Sequence, residues 1–529
     1  MSVQRSESIE KIESQDVWDV LIIGGGATGL GTGVDAASRG YSTVLLESAD
    51  FCQATSSRST KLVHGGVRYL QQMNFSLVYD ALHERGRMRR NAPHLVDDQS
   101  FIVPTYSWWE TFYYGIGLVM YDLLSGPFSF GRSYPMVRNS AFYHVPGLNP
   151  VGVKAGVRYH DGQFDDARYA MTLALSMEEL GGSPVNHMQV RSLIKEDGKV
   201  RGVVAVDLLT GKEHEIYARS VVNATGIFTD DIRQMDNPSA KAILQPSQGI
   251  HLMLDRAFCP GDAGILIPKT DDGRVVFVLP WHDKLIIGTT DTEVSGPQME
   301  PKATNDEVDF LLEHVGRFLA RKPQRKDVRS VFNGIRPLIK ADGADGTSAL
   351  SRDHYLTVSD SGLVTIAGGK WTTYRKMAED VVNTCAKTAH LPEVKCRTSN
   401  MPLHGWTRDF EKDDPFRAYG SDVQYLYEMM DEDETLVELL HPRLPYRKVE
   451  VVWAVRSEMA QTLYGVLALR TRALLLDAAA TVEAAPEVAR LMAVELGLSG
   501  EEATTWIDAQ LAEFTEVASQ YIAGNCCEL

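Results

Sequence analysis

Asp19-Val20-Leu21-Ile22-Ile23-Gly24-Gly25-Gly26-Ala27-Thr28-Gly29 is the stretch on which the reading of the fold turns. It predicts a buried strand that runs into a glycine-rich turn and then a helix. Gly24, Gly26 and Gly29 occupy the G-x-G-x-x-G positions. The first turns the chain tightly, the second lets a pyrophosphate approach the backbone, and the third lets helix and strand pack closely. The helix start presents N–H groups and a partial positive charge to phosphates. A second strand, Thr43 to Leu46, ends at Glu47, whose carboxylate is placed to accept bonds from ribose hydroxyls. The motif occurs once, which implies a single dinucleotide, and the spacing alone does not separate FAD from NAD.

Working outward, the 529 residues exceed one ordinary core, so two or three domains are expected. A formal net charge of −17 argues against general nucleic-acid binding, although local basic clusters can still hold a small anion. The six cysteines are scattered, with neither metal-ligand nor disulfide-framework spacing, which fits a reducing cytosol. The polar first eighteen residues read as no signal peptide, and no apolar run is long enough to span a bilayer. Trp108 to Leu124, WWETFYYGIGLVMYDLL, has two readings. One is a buried helix of a second domain; the other is an interfacial segment lying on a bilayer.

Further strand signals run through Ser220–Gly226 and Leu363–Gly369. Val275–Leu279 and Leu285–Ile287 suggest a hairpin around Pro280-Trp281-His282-Asp283. Nucleotide-type segments are therefore spread over residues 19–370 with antiparallel material between them. Beyond about residue 400 glycine becomes sparse and helical periodicity takes over. Glu458–Asp477 reads as helix, and Ser499-Gly500-Glu501-Glu502 as a capping box.

The next block, Ala54-Thr55-Ser56-Ser57-Arg58-Ser59-Thr60-Lys61-Leu62-Val63-His64-Gly65-Gly66-Val67-Arg68-Tyr69-Leu70, forms a close-packed loop of small hydroxyl residues and glycines. Together with the glycine motif it resembles the FAD-dependent glycerol-3-phosphate dehydrogenase family. The likeness continues in order through Asn223-Ala224-Thr225-Gly226, Gly334-Ile335-Arg336-Pro337-Leu338, Ser351-Arg352-Asp353 and Gly368-Gly369-Lys370-Trp371-Thr372. It covers nearly all of residues 16–380 and returns at Leu469-Arg470-Thr471-Arg472. Trp371 and His354 depart slightly from the family pattern, and neither removes a charged group that the chemistry needs.

The resemblance implies an α/β fold: a glutathione-reductase-like FAD-binding Rossmann domain, an interleaved antiparallel-sheet substrate domain and a C-terminal α-helical domain. Residues 16–400 would hold the first two, with the substrate insertion mainly at about 76–150 and 245–330, and residues 401–529 the third. It also implies noncovalent FAD and oxidation of sn-glycerol 3-phosphate to dihydroxyacetone phosphate by hydride transfer from C2 to flavin N5. Electrons would pass to membrane quinone from a protein held peripherally on the cytoplasmic face; the reading admits a homodimer. The implied cofactor contacts are Gly24, Gly25, Gly26, Ala27, Thr28, Gly29, Glu47, Thr55, Ser56, Ser57, Lys61, Leu62, His64, Gly65, Ala224, Thr225, Gly226, Gly334, Gly369, Lys370, Trp371 and Thr372.

A largely dianionic phosphate needs fixed cations. Arg336 and Arg352 can bind its oxygens in bidentate fashion. Arg68, Tyr69 and Lys370 match further substrate-pocket positions of the family. Oxidising the alcohol also needs a proton acceptor. His251 matches a family histidine and titrates near neutrality when unperturbed. His64 is the alternative, as is polarisation of the alcohol by Lys370 and Arg336 with water as acceptor. Rival readings are a glycerol-3-phosphate oxidase that uses oxygen, an amine oxidase of the D-amino-acid oxidase type, and a non-catalytic flavin-binding regulator.

Overall fold

A computed structural model describes residues 5–66, 75–268, 270, 274–340 and 354–523. Its first sheet is built on the opening stretch. Trp18–Ile23 forms the central strand, parallel to Thr43–Leu46 on one side and to Glu213–Asn223 on the other. Ser183–Val185 and Val364–Gly368 extend the parallel order, and an antiparallel strand, His354–Val358, closes that edge. The central residues Val20, Leu21 and Ile22 are fully buried, as a strand covered on both faces requires.

The helix Ala27–Ser38 leaves the glycine turn and packs between helices Asp166–Glu179 and Tyr374–Thr388. Its further glycines serve that packing. A Cβ on Gly31 would lie 2.6 Å from the Tyr374 ring, and one on Gly33 would lie 2.4 Å from the Met177 sulfur.

Among the described residues the second sheet has ten strands and is largely antiparallel. Ser247–Asp255 runs between Lys284–Gly288 and Val328–Arg336. The expected hairpin joins Val276–Trp281 to Lys284–Gly288 through a two-residue turn at His282-Asp283, with His282 at φ 51°. This sheet also draws in Leu62–Val63 and Ala155–Phe164, outside the two windows expected from sequence.

The C-terminal region is helical, but two local expectations are overturned. Ser499 caps no backbone amide, because Gly500 adopts a left-handed conformation (φ 58°) that turns the chain away from capping-box geometry. Glu458–Asp477 is not one helix. A widened π-type turn, Gly465–Arg470, is followed by Arg472 at φ 60° and a short helix, Ala473–Leu476.

The aromatic segment forms the helix Trp108–Ser125, started by a Ser107/Glu110 capping box. The buried-helix reading of it is wrong. Thr111, Gly115, Leu118, Tyr121 and Ser125 face inward, while Trp108 (69% exposed), Trp109 (70%), Phe112 (58%) and Leu123 (75%) face out. The outward face is the more apolar of the two, so hydropathy alone points to the face that the protein leaves uncovered. No helix among the described residues is long and apolar enough to cross a membrane.

Candidate active site

A cavity of about 630 Å³ runs from the glycine turn to the antiparallel sheet. At the first end, Gly24 has φ 106°, and a Cβ on Gly29 would lie 1.8 Å from the Gly24 carbonyl oxygen. Only glycine permits this contact between helix and turn. Glu47 closes the strand edge: its carboxylate accepts from the amides of Gly25 (2.6 Å) and Ala49 (2.8 Å), while burial pushes its pKa up. The Thr55–Ser57 turn crosses the opening. Ser56 Oγ accepts from the Ala27 amide at 3.0 Å, Ser56 carbonyl accepts from the Trp371 indole at 2.7 Å, and Thr55 Oγ1 donates to the Ile335 carbonyl at 2.7 Å. Trp371 is held edge-on by Phe164, Tyr169 and Tyr374.

At the second end the walls are side chains. His251 is 3% exposed and stacks on Phe332 with centroids 4.8 Å apart. Its Nε2 lies 2.9 Å from Thr60 Oγ1, and its Nδ1 is buried with no hydrogen-bond partner among the described residues. Desolvation, then the nearby charges of Lys61 and Arg336, hold its pKa well below the ordinary histidine value. Arg336 ends its strand with the guanidinium folded back over Gly249, where a Cβ would lie 2.2 Å from Nη2. It donates to Thr289 Oγ1 and Thr290 O (3.1 Å each) and pairs with Asp291 at 3.4 Å. Lys370 follows two left-handed glycines, Gly368 and Gly369, and lines the same cavity.

Most of the residues named from sequence meet here. Gly24, Gly26, Ala27, Thr28, Glu47, Thr55, Ser56, Leu62, His64, Ala224, Thr225, Gly226, Gly334, Gly369, Trp371 and Thr372 line the cavity with His251, Arg336 and Lys370. Gly25, Gly29, Ser57, Lys61 and Gly65 do not. Lys61 turns away because its ammonium is paired with both Asp166 oxygens at 2.8 Å and with the Ser57 carbonyl at 2.7 Å. Gly65 instead gives its amide to Tyr121 Oη at 2.7 Å. Arg68, Tyr69 and Arg352 lie outside the described residues.

A family model described as FAD dependent oxidoreductase matches residues 19–375, and one described as the C-terminal domain of alpha-glycerophosphate oxidase matches 364–503. Human mitochondrial glycerol-3-phosphate dehydrogenase is 37% identical over 553 residues, covering 98% of this chain and 75% of its own. The Schizosaccharomyces pombe mitochondrial protein of the same name is 36% identical over 587 residues, covering 98% and 89%. The solved glycerol-3-phosphate dehydrogenase of Bacillus halodurans, complexed with FAD, matches with a TM-score of 0.78 at 30% identity, over 98% of this chain and 97% of that one. The chain belongs to the FAD-dependent glycerol-3-phosphate dehydrogenase family. The L-α-glycerophosphate oxidase of Mycoplasma pneumoniae, at 16% identity and a TM-score of 0.56, shares the fold.

The residues of this dehydrogenase-family site fit FAD. The helix N-terminus at Gly26–Thr28 faces the cavity, and the Glu47 carboxylate stands at the strand edge beside it. At the far end, the orphaned His251 Nδ1 marks a polar position that a bound group can satisfy. Sequence reasoning missed two parts of the lining. Met188, Gln189 and Val190 line the cavity beside Glu47, and Phe228, Asp231 and Met235 line it from the helix Thr229–Asp236 and the residue before it. The place of the first follows from the pairing of Ser183–Val185 with Thr43–Leu46, which only the fold reveals and which makes the chain after it emerge at the same sheet edge. The second carried no signal, since a short amphipathic helix reads the same anywhere.

Proposed function

We propose that this protein oxidises the C2 hydroxyl of sn-glycerol 3-phosphate, giving dihydroxyacetone phosphate, and passes the electrons to a membrane quinone. The substrate reading rests on Arg336, Lys370 and His251, which line one cavity together with the glycine turn. Arg336 and Lys370 bind and orient the phosphate, Arg336 through its planar fork. FAD, when bound, accepts the hydride that leaves C2. His251 accepts the hydroxyl proton. Among the charges that depress its basicity is Arg336, which a dianionic phosphate would offset. Substrate binding therefore strengthens the base that the reaction needs. Residues 16–400 carry both the cofactor and the substrate regions, and the helical part follows.

The acceptor reading rests on the helix Trp108–Ser125. A contiguous aromatic face this exposed marks an interaction surface, and Trp and Tyr favour the headgroup level of a bilayer. Cations border it. Arg89 and Arg90 lie over Phe130 and Phe128 just beyond its C-terminal end, and Arg132, in the loop that follows, and Arg138, at the start of the helix Arg138–His144, are exposed. In a chain of net charge −17 this local excess suits anionic lipid. The inner face of the same helix reaches the cofactor loop, since Tyr121 Oη accepts from Gly65 and donates to Asp161 at 2.9 Å. The lipid-facing helix thus reaches the residue next to His64, which lines the cavity. The four described cysteines are free thiols, as the cytoplasmic face of a membrane allows.

The test compares a soluble dye, a quinone analogue in anionic vesicles, and oxygen as acceptors for glycerol 3-phosphate. Trp109→Glu with Leu123→Glu should leave dye reduction near normal and abolish vesicle flotation and most quinone reduction. Stoichiometric peroxide would overturn the acceptor while sparing the substrate. Unchanged flotation with a fall in oligomer size would make this face a contact between copies instead.

A further inference from the structure

The loop Asp50–Lys61 forms one wall of the cavity, through Cys52, Thr55, Ser56 and Thr60 among others. Much of what holds it from behind comes some 400 residues later. Arg470 donates to both oxygens of Asp50, at 2.5 and 3.0 Å, and to the Glu458 carbonyl at 2.7 Å. Arg472 donates to the Ser57 carbonyl at 2.5 Å and to Asp166 at 3.0 Å. Tyr464 Oη accepts from Arg58 at 3.1 Å. Asp50, Ser57, Arg58, Arg470 and Arg472 are all buried, whereas no described residue after Thr372 lines the cavity.

The backbone of residues 465–472 is shaped for this grip. Residues two apart on a regular helix face different directions, so Arg470 and Arg472 could not both reach one loop. The widened turn Gly465–Arg470 and the left-handed Arg472 bring them to it. A non-glycine residue persists in that conformation only where its surroundings over-determine it. Gly465 is part of the arrangement, because a Cβ there would lie 2.6 Å from Asp50 Oδ2. The four charges Arg472, Lys61, Asp165 and Asp166 balance in a buried cluster. Removing Arg472 leaves that cluster net negative and the Ser57 carbonyl held by Lys61.

We propose that residues 464–472 clamp the cofactor loop from outside the cavity, with Arg472 as a positioning residue for FAD, so that the helical region sets how tightly FAD is retained. The clamp acts through Ser57 on its neighbour Ser56, which meets the Ala27 amide at the start of the glycine helix.

The experiment uses the full-length holoprotein and three variants: Arg472→Gln, Arg472→Lys and Gly465→Ala. Release of FAD is followed by the rise of free-flavin fluorescence, and Tm is measured for the holo and the FAD-stripped forms. Arg472→Gln should speed FAD release at least tenfold and shrink the holo-minus-apo difference in Tm, with the lysine variant intermediate. Gly465→Ala keeps every charge, displaces Asp50 and should also speed release; it carries the test if the glutamine variant does not fold. Equal falls in apo and holo Tm with wild-type release rates would reduce this contact to ordinary domain packing and overturn the proposal.

Discussion

The two ends of the cavity are made of different material. The glycine end is built from backbone: amides, φ values and the absence of Cβ atoms at Gly24, Gly26 and Gly29. The far end is built from side chains, His251 in mid-strand and Arg336 at a strand end, and Lys370 lines the same cavity from a loop. Backbone sites are specified by spacing and tolerate almost no added volume. Side-chain sites are specified by which way a long chain turns, and they fail gradually when one group is changed.

The largest expected effect is therefore at the backbone end. Gly29→Ala puts a carbon 1.8 Å from a backbone oxygen that cannot move without the turn, and FAD content should fall to zero. Gly26→Ala sharpens the point. Its added carbon meets only the Ser56 hydroxyl, at 3.0 Å, so the chain should fold while FAD is bound weakly. Visible absorbance per mole of protein, beside the Tm of the apo form, separates the two. Equal FAD content in both variants would break the contrast.

At the side-chain end losses should be graded. His251→Asn should keep FAD and slow its reduction by about 10²–10⁴-fold, the usual range for a removed base. Because burial, Lys61 and Arg336 hold His251 well below its ordinary value, the imidazole is neutral across neutral pH. The pH profile of the free enzyme should then show no histidine ionisation from this group near pH ~6.5. Arg336→Lys keeps the charge and loses the fork. It should cost about 1.5–3 kcal/mol, or roughly ten- to a hundredfold in kcat/KM for glycerol 3-phosphate, and less for plain glycerol. Anaerobic stopped-flow reduction against substrate concentration checks both, and equal losses for the two substrates would remove phosphate from the role of Arg336.

This division also explains what could be read from the chain alone. The strand, turn, helix and Glu47 follow from residue spacing, because glycine positions translate directly into backbone geometry. So does the hairpin at His282-Asp283. Lys61 could not be placed. In sequence it is one more cation beside the cofactor block, and only the fold reveals Asp166 as its partner. The helix Trp108–Ser125 was ambiguous for a different reason, since its more apolar face is the exposed one and its hydropathy points away from the side the protein covers. The break within Glu458–Asp477 was marked in sequence only by Gly465, a poor helix former, because its cause is the pull of Arg470 on Asp50 and of Arg472 on Ser57, which local propensity does not contain.

The smallest expected effect lies outside both ends and serves as their control. His404 bridges Glu179 and Asp422, each at 2.7 Å, joining the helix Asp166–Glu179 to the later part of the chain. Burial opposes its protonation, yet the two carboxylate hydrogen bonds prevail and raise its pKa to about 9. A raised histidine pKa stabilises the fold fully below the unfolded value of ~6.5 and loses that contribution as pH rises through about 9. Glu179 is 59% exposed, so solvent screening holds the whole effect to about 1 kcal/mol. His404→Gln should accordingly lower Tm at pH 6 and converge with the parent protein by pH 10, leaving FAD content and kcat/KM unchanged. A variant whose Tm tracks the parent in parallel at every pH would mean that the bridge carries no proton-linked stability. A change in FAD content would mean that the cofactor end depends on a contact well outside the cavity lining.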